Sequence, residues 1–272
     1  MALAIFELTL SISTMEIIFD HTFGKQEQQD LVICRPMAKF DGEEEAEAIE
    51  HGWLALDTPV RGGEVFYQSR STRVDLQMFR PRFREHRHNG AKIETKIIEA
   101  SEMVKLLGLP DIYKRYMKRK NFGADYDPFK HFHKRDQFML FYTGTADNII
   151  GFTKQKRYLY QEDYTGPTID DLYAQPTMAG IESVIHANTV PISALTLDLE
   201  MMWAADHGAS YYYLGSGYEN SSEYKASWRG FEWWNGIKWS TNKKQYKRLC
   251  KRDSRLTDFS SLGNLSLIED KT

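Results

Sequence analysis

Cysteine is almost absent from this 272-residue chain: Cys34 and Cys250 are its two thiols, and they form no CxxC pair. That is too little for a disulfide framework or a zinc knuckle, so structural thiols in a reducing, cytoplasmic setting are expected. Long apolar runs are also missing. With a mean hydropathy of -0.54, no window approaches the roughly 18 uninterrupted apolar residues of a membrane-spanning helix. The apolar opening MALAIFELTLSIS has no basic flank and carries Glu7 within it, which reads as a first β-strand and not as a secretory signal. No GxxxxGK[ST], GxSxG or HExxH motif occurs, which disfavours a P-loop nucleotidase, an α/β-hydrolase and a zincin. His86 with His88, and His131 with His133, are i, i+2 pairs without a third ligand nearby in the sequence. No metal site is expected from them. Repeats and low-complexity tracts are lacking as well.

What remains is an ordinary globular composition, 42% hydrophobic and 27% charged, long enough for one large or two modest domains. The net charge of -3 hides a polarisation. Residues 70–135 hold 17 Lys and Arg against 8 Asp and Glu, and residues 223–255 hold 10 against 3, which leaves -19 for the rest. Either a polyanion docks on two basic surfaces of an acidic body, or these are solvated faces.

The N-terminal part, 1–122, reads as strand-rich. FELTLSIS alternates, LVIC at 31–34 is a short strand, and EVFYQSRSTRVDLQMFRP is extended up to Pro81. The acidic run DGEEEAEAIEHGW at 41–53 predicts a helix capped by Asp41 and stopped by Gly52. SEMVKLL and PDIYKRYMKRKN predict two helices broken at Gly108 and Pro110. The second interleaves Tyr113 and Tyr116 with Lys114, Arg115, Lys118, Arg119 and Lys120. Such a face either grips phosphates and stacks bases, or packs down through Ile112 and Tyr116 while basic stems cover apolar surface.

NFGADYDPF at 121–129 is a candidate linker, and 123–256 then reads as an α/β unit. QFMLFYTG and NIIGFTKQKRYLY predict two strands joined at 144–147. EDYTGPTIDDLYAQP reads as a loop or short helix, and MAGIESVIHAN as a strand. A helix follows, capped by Ser193 and stopped by Gly208, with Leu195, Leu199, Met202 and Trp203 on one face; SYYYLG is the next strand. Strand, helix and strand make a crossover, so the two strands should be parallel. Residues 257–272 read as a loose tail.

The stretch 193–239 resembles the C-terminal domain of arginyl-tRNA-protein transferases, a branch of the GNAT (acetyltransferase-like) fold. The residues that carry the resemblance are Tyr213, Leu214 and Gly215, then Glu223, Tyr224, Lys225, Ala226, Trp228 and Arg229, then Phe231, Glu232 and Trp239. Ser69 to Arg73 are similar, more weakly, to the family's Ser-Arg-Ser segment. The cysteine cluster of that family is missing, so no metal or redox regulation is carried over, and the loop SGYENSS differs from its usual form.

The resemblance implies an α/β (α+β) fold, GNAT-like, a mixed sheet with splayed central parallel strands flanked by helices, beside a smaller strand-rich N-terminal part. It implies that an aminoacyl group passes from charged tRNA to an amine acceptor with no bound cofactor. An acyl-CoA donor is the alternative, although a clear Q/RxxGxG/A pyrophosphate loop is lacking. A non-catalytic RNA-binding module of the same fold is a third reading. Neither a membrane partner nor a particular oligomer is expected.

An aminoacyl ester is already activated, so positioning and oxyanion stabilisation supply much of the acceleration, with a base for the amine. Glu223, Glu182 and Asp198 are candidate bases, and Tyr213 or Tyr224 a donor to the leaving oxygen. Lys225 and Arg229, four apart, would clamp an anion if helical. Tyr213, Glu223, Tyr224 and Lys225 are therefore the candidate catalytic set. Arg70, Arg73, Asp198, Gly215, Trp228 and Arg229 are candidate substrate contacts. Lys114, Arg115, Lys118, Arg119, Lys243, Lys244 and Lys247 are candidate tRNA contacts. Trp228, Trp233, Trp234 and Trp239 read mainly as core.

Overall fold

The structure, a computed structural model, describes residues 17–26, 29–40, 44–60, 63–99, 109–120, 129, 136–145, 148–159, 170–175, 192–218 and 220–254. The expectations for the apolar opening at 6–13, the helix at 101–107, the linker at 121–128, the strand at 178–188, Glu182, the second histidine pair and the tail from 257 lie outside these residues.

A four-stranded antiparallel sheet is built from β1 (Ile17–Gln26), β2 (Gln29–Lys39), β3 (Trp53–Val60) and β4 (Gly63–Gln68), in the order β1-β2-β4-β3. LVIC lies inside β2. Between β2 and β3 the acidic run forms helix α1 (Glu44–Glu50), as predicted. It stops at Gly52, whose φ of 81° is open to glycine at little cost. A side chain there would also meet the ring of Trp234.

The second sheet has nine strands. They are β5 (Ser71–Asp75), β6 (Arg87–His88), β7 (Ala91–Glu99), β8 (Asp136–Thr143), β9 (Ile149–Leu159), β10 (Asp170–Gln175), β11 (Ala209–Ser216), β12 (Phe231–Trp234) and β13 (Trp239–Ser240). Their order is β13-β12-β5-β11-β10-β9-β8-β7-β6. The ladder thus crosses residue 122, where composition suggests a boundary. From the N-terminal side β5 sits between β11 and β12, and β7 pairs with β8.

Among the described residues three helices flank this sheet: α2 (Leu109–Lys120), with Pro110 in its first turn, α3 (Ile192–Asp206) and α4 (Lys243–Asp253). A 3-10 helix spans Asn220–Ser227. Ser193, expected as a cap, is the second residue of α3. The mixed α+β class read from the sequence is the one the chain adopts, with β10 and β11 the parallel pair among the described residues.

The strand expected before α3, at 178–188, lies outside the described residues. Among those described, the strand parallel to β11 is β10, which corrects the reading of its segment as loop or short helix. Two aspartates at its start mask the strand pattern. Ladders on both sides, to β9 and β11, override that local composition.

Helix α3 is apolar nearly all round, as a helix buried on both flanks should be. Leu197, Met201 and Ala204 pack with Val74, Tyr212 and Trp228. Leu195 instead joins Ile93, Met139, Phe141 and Ile150. Each such large side chain contributes roughly 1.5–3 kcal/mol by its removal from water. The opposite face of β11 presents Tyr213 to Ile49, Leu54, Phe66 and Tyr67, which joins the two sheets.

Candidate functional site

The parallel pair does not stay paired. Its last bonded rung is Tyr173 with Tyr213. Beyond it β10 continues through Ala174 and Gln175 on β9 alone, and β11 continues through Gly215 and Ser216 on β5 alone. A register shift between Tyr213 and Gly215 turns β11 at that point. The carbonyl of Gly215 accepts from Thr72 Oγ1 on the β5 side, at 2.7 Å. Those of Leu214 and Ser216 accept from the ammonium of Lys225. Lys225, buried beneath the 3-10 helix, therefore supplies the donors that a parallel neighbour would have given.

This placement corrects the reading of Lys225 with Arg229 as an anion clamp. The 3-10 helix ends at Ser227, so the two do not share a helical face, and Arg229 is exposed beyond it. Lys225→Met is expected to cost about 2 kcal/mol, because two backbone carbonyls lose a charged donor. Amide hydrogen exchange would speed up at 214–216 and not at 211–213. Uniform exchange along β11 would contradict the assignment.

A buried polar cluster lies at the same end of the sheet. Glu200 of α3 is fully buried. One carboxylate oxygen accepts from the Tyr212 hydroxyl at 2.5 Å and the other from Thr153 Oγ1 at 3.0 Å. Gln155 Nε2 donates to the Tyr212 oxygen at 3.3 Å. Burial pushes the Glu200 carboxyl up to about 7, against the two hydrogen bonds that favour its charge. Burial, then the neighbouring Glu200, holds the Tyr212 phenol well above its ordinary value. Sequence reasoning singles out none of these four. The available signal is two acids, Asp198 and Glu200, inside an apolar helix two positions apart, which sends them to opposite flanks.

Asp198, expected as a substrate contact or base, is fully buried and holds structure together. Its Oδ1 accepts from Trp228 Nε1 at 2.6 Å. Its Oδ2 accepts from the backbone N–H groups of Arg82 at 2.7 Å and Phe83 at 3.0 Å, with His86 Nε2 3.4 Å away. Both oxygens are committed to the chain itself. Trp228 is core, and the Arg82 guanidinium lies 4.9 Å from its ring centre.

The other candidates do not converge on one pocket. Tyr213 is buried on the sheet face opposite Tyr212, its hydroxyl 3.3 Å from Arg73 Nη1. Tyr224 is exposed, edge-on to Trp228, and Glu223 is half-buried within the 3-10 helix. Arg73 is boxed by aromatic rings, 3.6 Å from the centre of Tyr211 and 4.0 Å from Trp239, and bonded to Glu232 at 2.8 Å. Burial works against its charge, and Tyr213 and Glu232 together outweigh that and raise its pKa. Arg70 is tied to Asp253 and to the Gly217 carbonyl. Both arginines fasten elements together, so their guanidinium groups are engaged within the fold. Trp228, Trp233 and Trp234 are buried and Trp239 half-buried, in line with the core reading.

The basic helices divide differently from expectation. On α2, Lys114, Arg115 and Lys118 are exposed, but Tyr113 is core, edge-on to Phe129 and packed with Ile112 and Phe138. It is not a stacking platform for bases. The side chain of Arg119 lies outside the described set. On α4, Lys243 faces inward: its ammonium donates to the Trp228 carbonyl, and burial, then Lys247, lowers its pKa. The outward face carries Lys244, Lys247, Arg248 and Lys251, all exposed. Steps of three, from Lys244 to Lys247 and from Arg248 to Lys251, and of four, from Lys244 to Arg248 and from Lys247 to Lys251, make one stripe. Arg248 and Lys251 extend the set expected from the sequence.

Among the described residues no helix is long and apolar enough to cross a membrane, and no group of three His, Cys, Asp or Glu residues is placed to hold a metal ion. No model of a known protein family matches the chain, and no curated protein does. Solved structures similar to it include the C-terminal domain (DUF2156) of a putative lysylphosphatidylglycerol synthetase from Agrobacterium fabrum. The TM-score is 0.37 at 10% identity, over 69% of this chain and 56% of that one. L-PGS from Bacillus licheniformis gives 0.37 at 11%, over 79% and 72%. An aminoglycoside acetyltransferase from an uncultured soil metagenomic sample gives 0.28 at 11%, over 43% and 75%. This chain thus spans little more than half the length of the first. None of the three is an arginyl-tRNA-protein transferase, the family that 193–239 resembles.

Proposed function

We propose that this chain is an acyl-group transferase that takes an aminoacyl group from a charged tRNA and passes it to an amine. The observation that carries the reading is the parting of β10 and β11 after Tyr173 and Tyr213. A parted parallel pair exposes backbone groups on two facing edges. Lys225 takes the β11 carbonyls there, which leaves that edge richer in N–H donors than in acceptors. That polarity suits an ester carbonyl whose oxygen gains negative charge as the amine attacks. The ester needs no covalent activation by the protein, so holding the two reactants in register does most of the work.

The donor class follows from the resemblance of 193–239 and from the stripe on α4. That helix packs on the 3-10 helix: Tyr246 donates to the Ser222 carbonyl, and Asn220 N–H to Ser254 Oγ. The 3-10 helix in turn carries Lys225. A phosphate backbone lying along α4 therefore sits one layer from the parted strands. The α4 stripe is about 10 Å long at 1.5 Å per residue, enough to meet a few phosphates.

Transfer of a labelled amino acid from charged tRNA to a peptide or small amine is the expected result with the full chain. Transfer from acyl-CoA alone would replace the donor. Salt-dependent tRNA binding with no transfer from either would make the protein a binding module. Lys244→Glu with Lys247→Glu should raise the KM for tRNA and leave kcat unchanged. The double variant should also reduce the slope of log affinity against log salt by roughly 2, about one for each phosphate no longer neutralised. An unchanged slope would remove α4 from the interface.

A further inference from the structure

We propose that Glu200 is the positioning residue of the transfer site, a carboxylate strap that sets the distance between β9 and β11 across the parted end of β10. The assignment rests on the acyl-transfer reading above. In register, Gln155 of β9 pairs with Ala174 and Lys154 with Gln175, so Thr153 lies one rung past the end of β10. Tyr212 of β11 pairs with Leu172, one rung before the ladder opens. Glu200 bonds to both, from above, out of α3. Three elements thus meet on one side chain at the place where the two parallel strands separate.

The strap depends on charge. As a carboxylate Glu200 is acceptor-only, and both hydroxyls donate to it. Once protonated, one of its oxygens carries a hydrogen, and either Tyr212 or Thr153 faces a donor where it had an acceptor. One of the two bonds is then lost or reversed, and the strand spacing is no longer fixed from both sides. Glu200 acts through Tyr212 and Thr153, which is consistent with its complete burial.

The surroundings leave this titration to few groups. From β9 it faces neutral Thr153 and Gln155, and from β11 Tyr212, which Tyr224 also influences. On its own helix Asp198 points away, to Trp228 and the 82–86 segment. Burial is the largest influence on Glu200, followed by Tyr212 and Thr153, with no cation among the causes. Its proton is therefore exchanged near neutral pH, at about 7, against an ordinary value of 4.5. The sign is that of a raised carboxyl: its contribution to stability is intact below pH 4.5 and is lost as pH rises through 7. Activity runs the other way, because the strap is formed only when the proton has left.

The test compares wild type, Glu200→Gln and Thr153→Val as full-length chains, by transfer kinetics and thermal unfolding from about pH 5 to 9, a range that brackets the ionisation of Glu200. For wild type, kcat should rise about tenfold through pH 7, the worth of one buried hydrogen bond, while KM for tRNA stays level. Over the same range its Tm should fall relative to Glu200→Gln. That variant, with one acceptor oxygen, should show a low kcat with no inflection. Thr153→Val removes a bond that favours the charge, so its inflection should move to higher pH. A folded Glu200→Gln with the wild-type inflection would overturn the role of Glu200 alone, as would a Thr153→Val profile that does not move. A wild-type chain that transfers nothing from either donor overturns the acyl-transfer reading and this role together.

Discussion

Asp198→Ala should lower the melting temperature by about 10 °C, a loss of roughly 3–5 kcal/mol at about 2–4 °C per kcal/mol for a chain of this size. The removed carboxylate, itself fully buried, accepts from Trp228 Nε1 and from two backbone N–H groups. Deleting the acceptor strands three donors, each at about 1–3 kcal/mol, partly relieved if water enters the space. Asn is no remedy, since its amide end would point donors at donors. Thermal unfolding checks the size of the effect, and a double-mutant cycle with Trp228→Phe checks its origin. The cycle should give a coupling of about 1–3 kcal/mol, since each single change breaks the same bond. Additive effects would mean that Trp228 and Asp198 do not hold one another.

Gly52→Ala is expected to be of similar severity, about 3–5 kcal/mol, by a different mechanism. Its φ is 81°, and an added Cβ would sit 2.3 Å from Cγ of the buried Trp234. Left-handed backbone alone costs an L-residue roughly 1–2 kcal/mol. Displacing a packed indole accounts for the rest. Gly236 separates the two terms: its φ is 97°, yet nothing lies within 4 Å of the position a Cβ would take. Gly236→Ala should therefore cost only the backbone share. Denaturant midpoints for the two variants test this. Equal losses would show that the Trp234 packing is soft.

The strand and helix order is largely legible in the sequence. Alternation and turn residues locate β4, β5, β8, β9 and β11, and the acid run locates α1. Aspartates at the head of β10 conceal it, because its stability comes from neighbours on both sides and not from its own composition. For the candidate site, the sequence points to the right segment with the wrong contacts. Lys225 stands out as a residue type, but periodicity cannot tell a buried ammonium on carbonyls from a surface clamp. Arg70, Arg73 and Lys243 follow the same pattern: they are basic in the sequence, and each is spent on an internal partner. Glu200 is silent in the sequence because its significance depends on Thr153 and Tyr212, which lie far from it in sequence or on another element.

The position of β5 has a bearing on how the chain is made. This five-residue strand, from the first third of the chain, is flanked on both edges by strands from the last quarter, with Val74 beside Tyr212 and Phe231. During synthesis at about 5–20 residues per second, β5 leaves the ribosome between about 7 and 28 seconds before its first permanent neighbour. For that interval the segment carrying Val74, Leu76 and Phe79 has neither edge covered. A nascent chain halted before β11 should thus be the form most dependent on chaperones, and strand exchange with a second nascent copy its characteristic error.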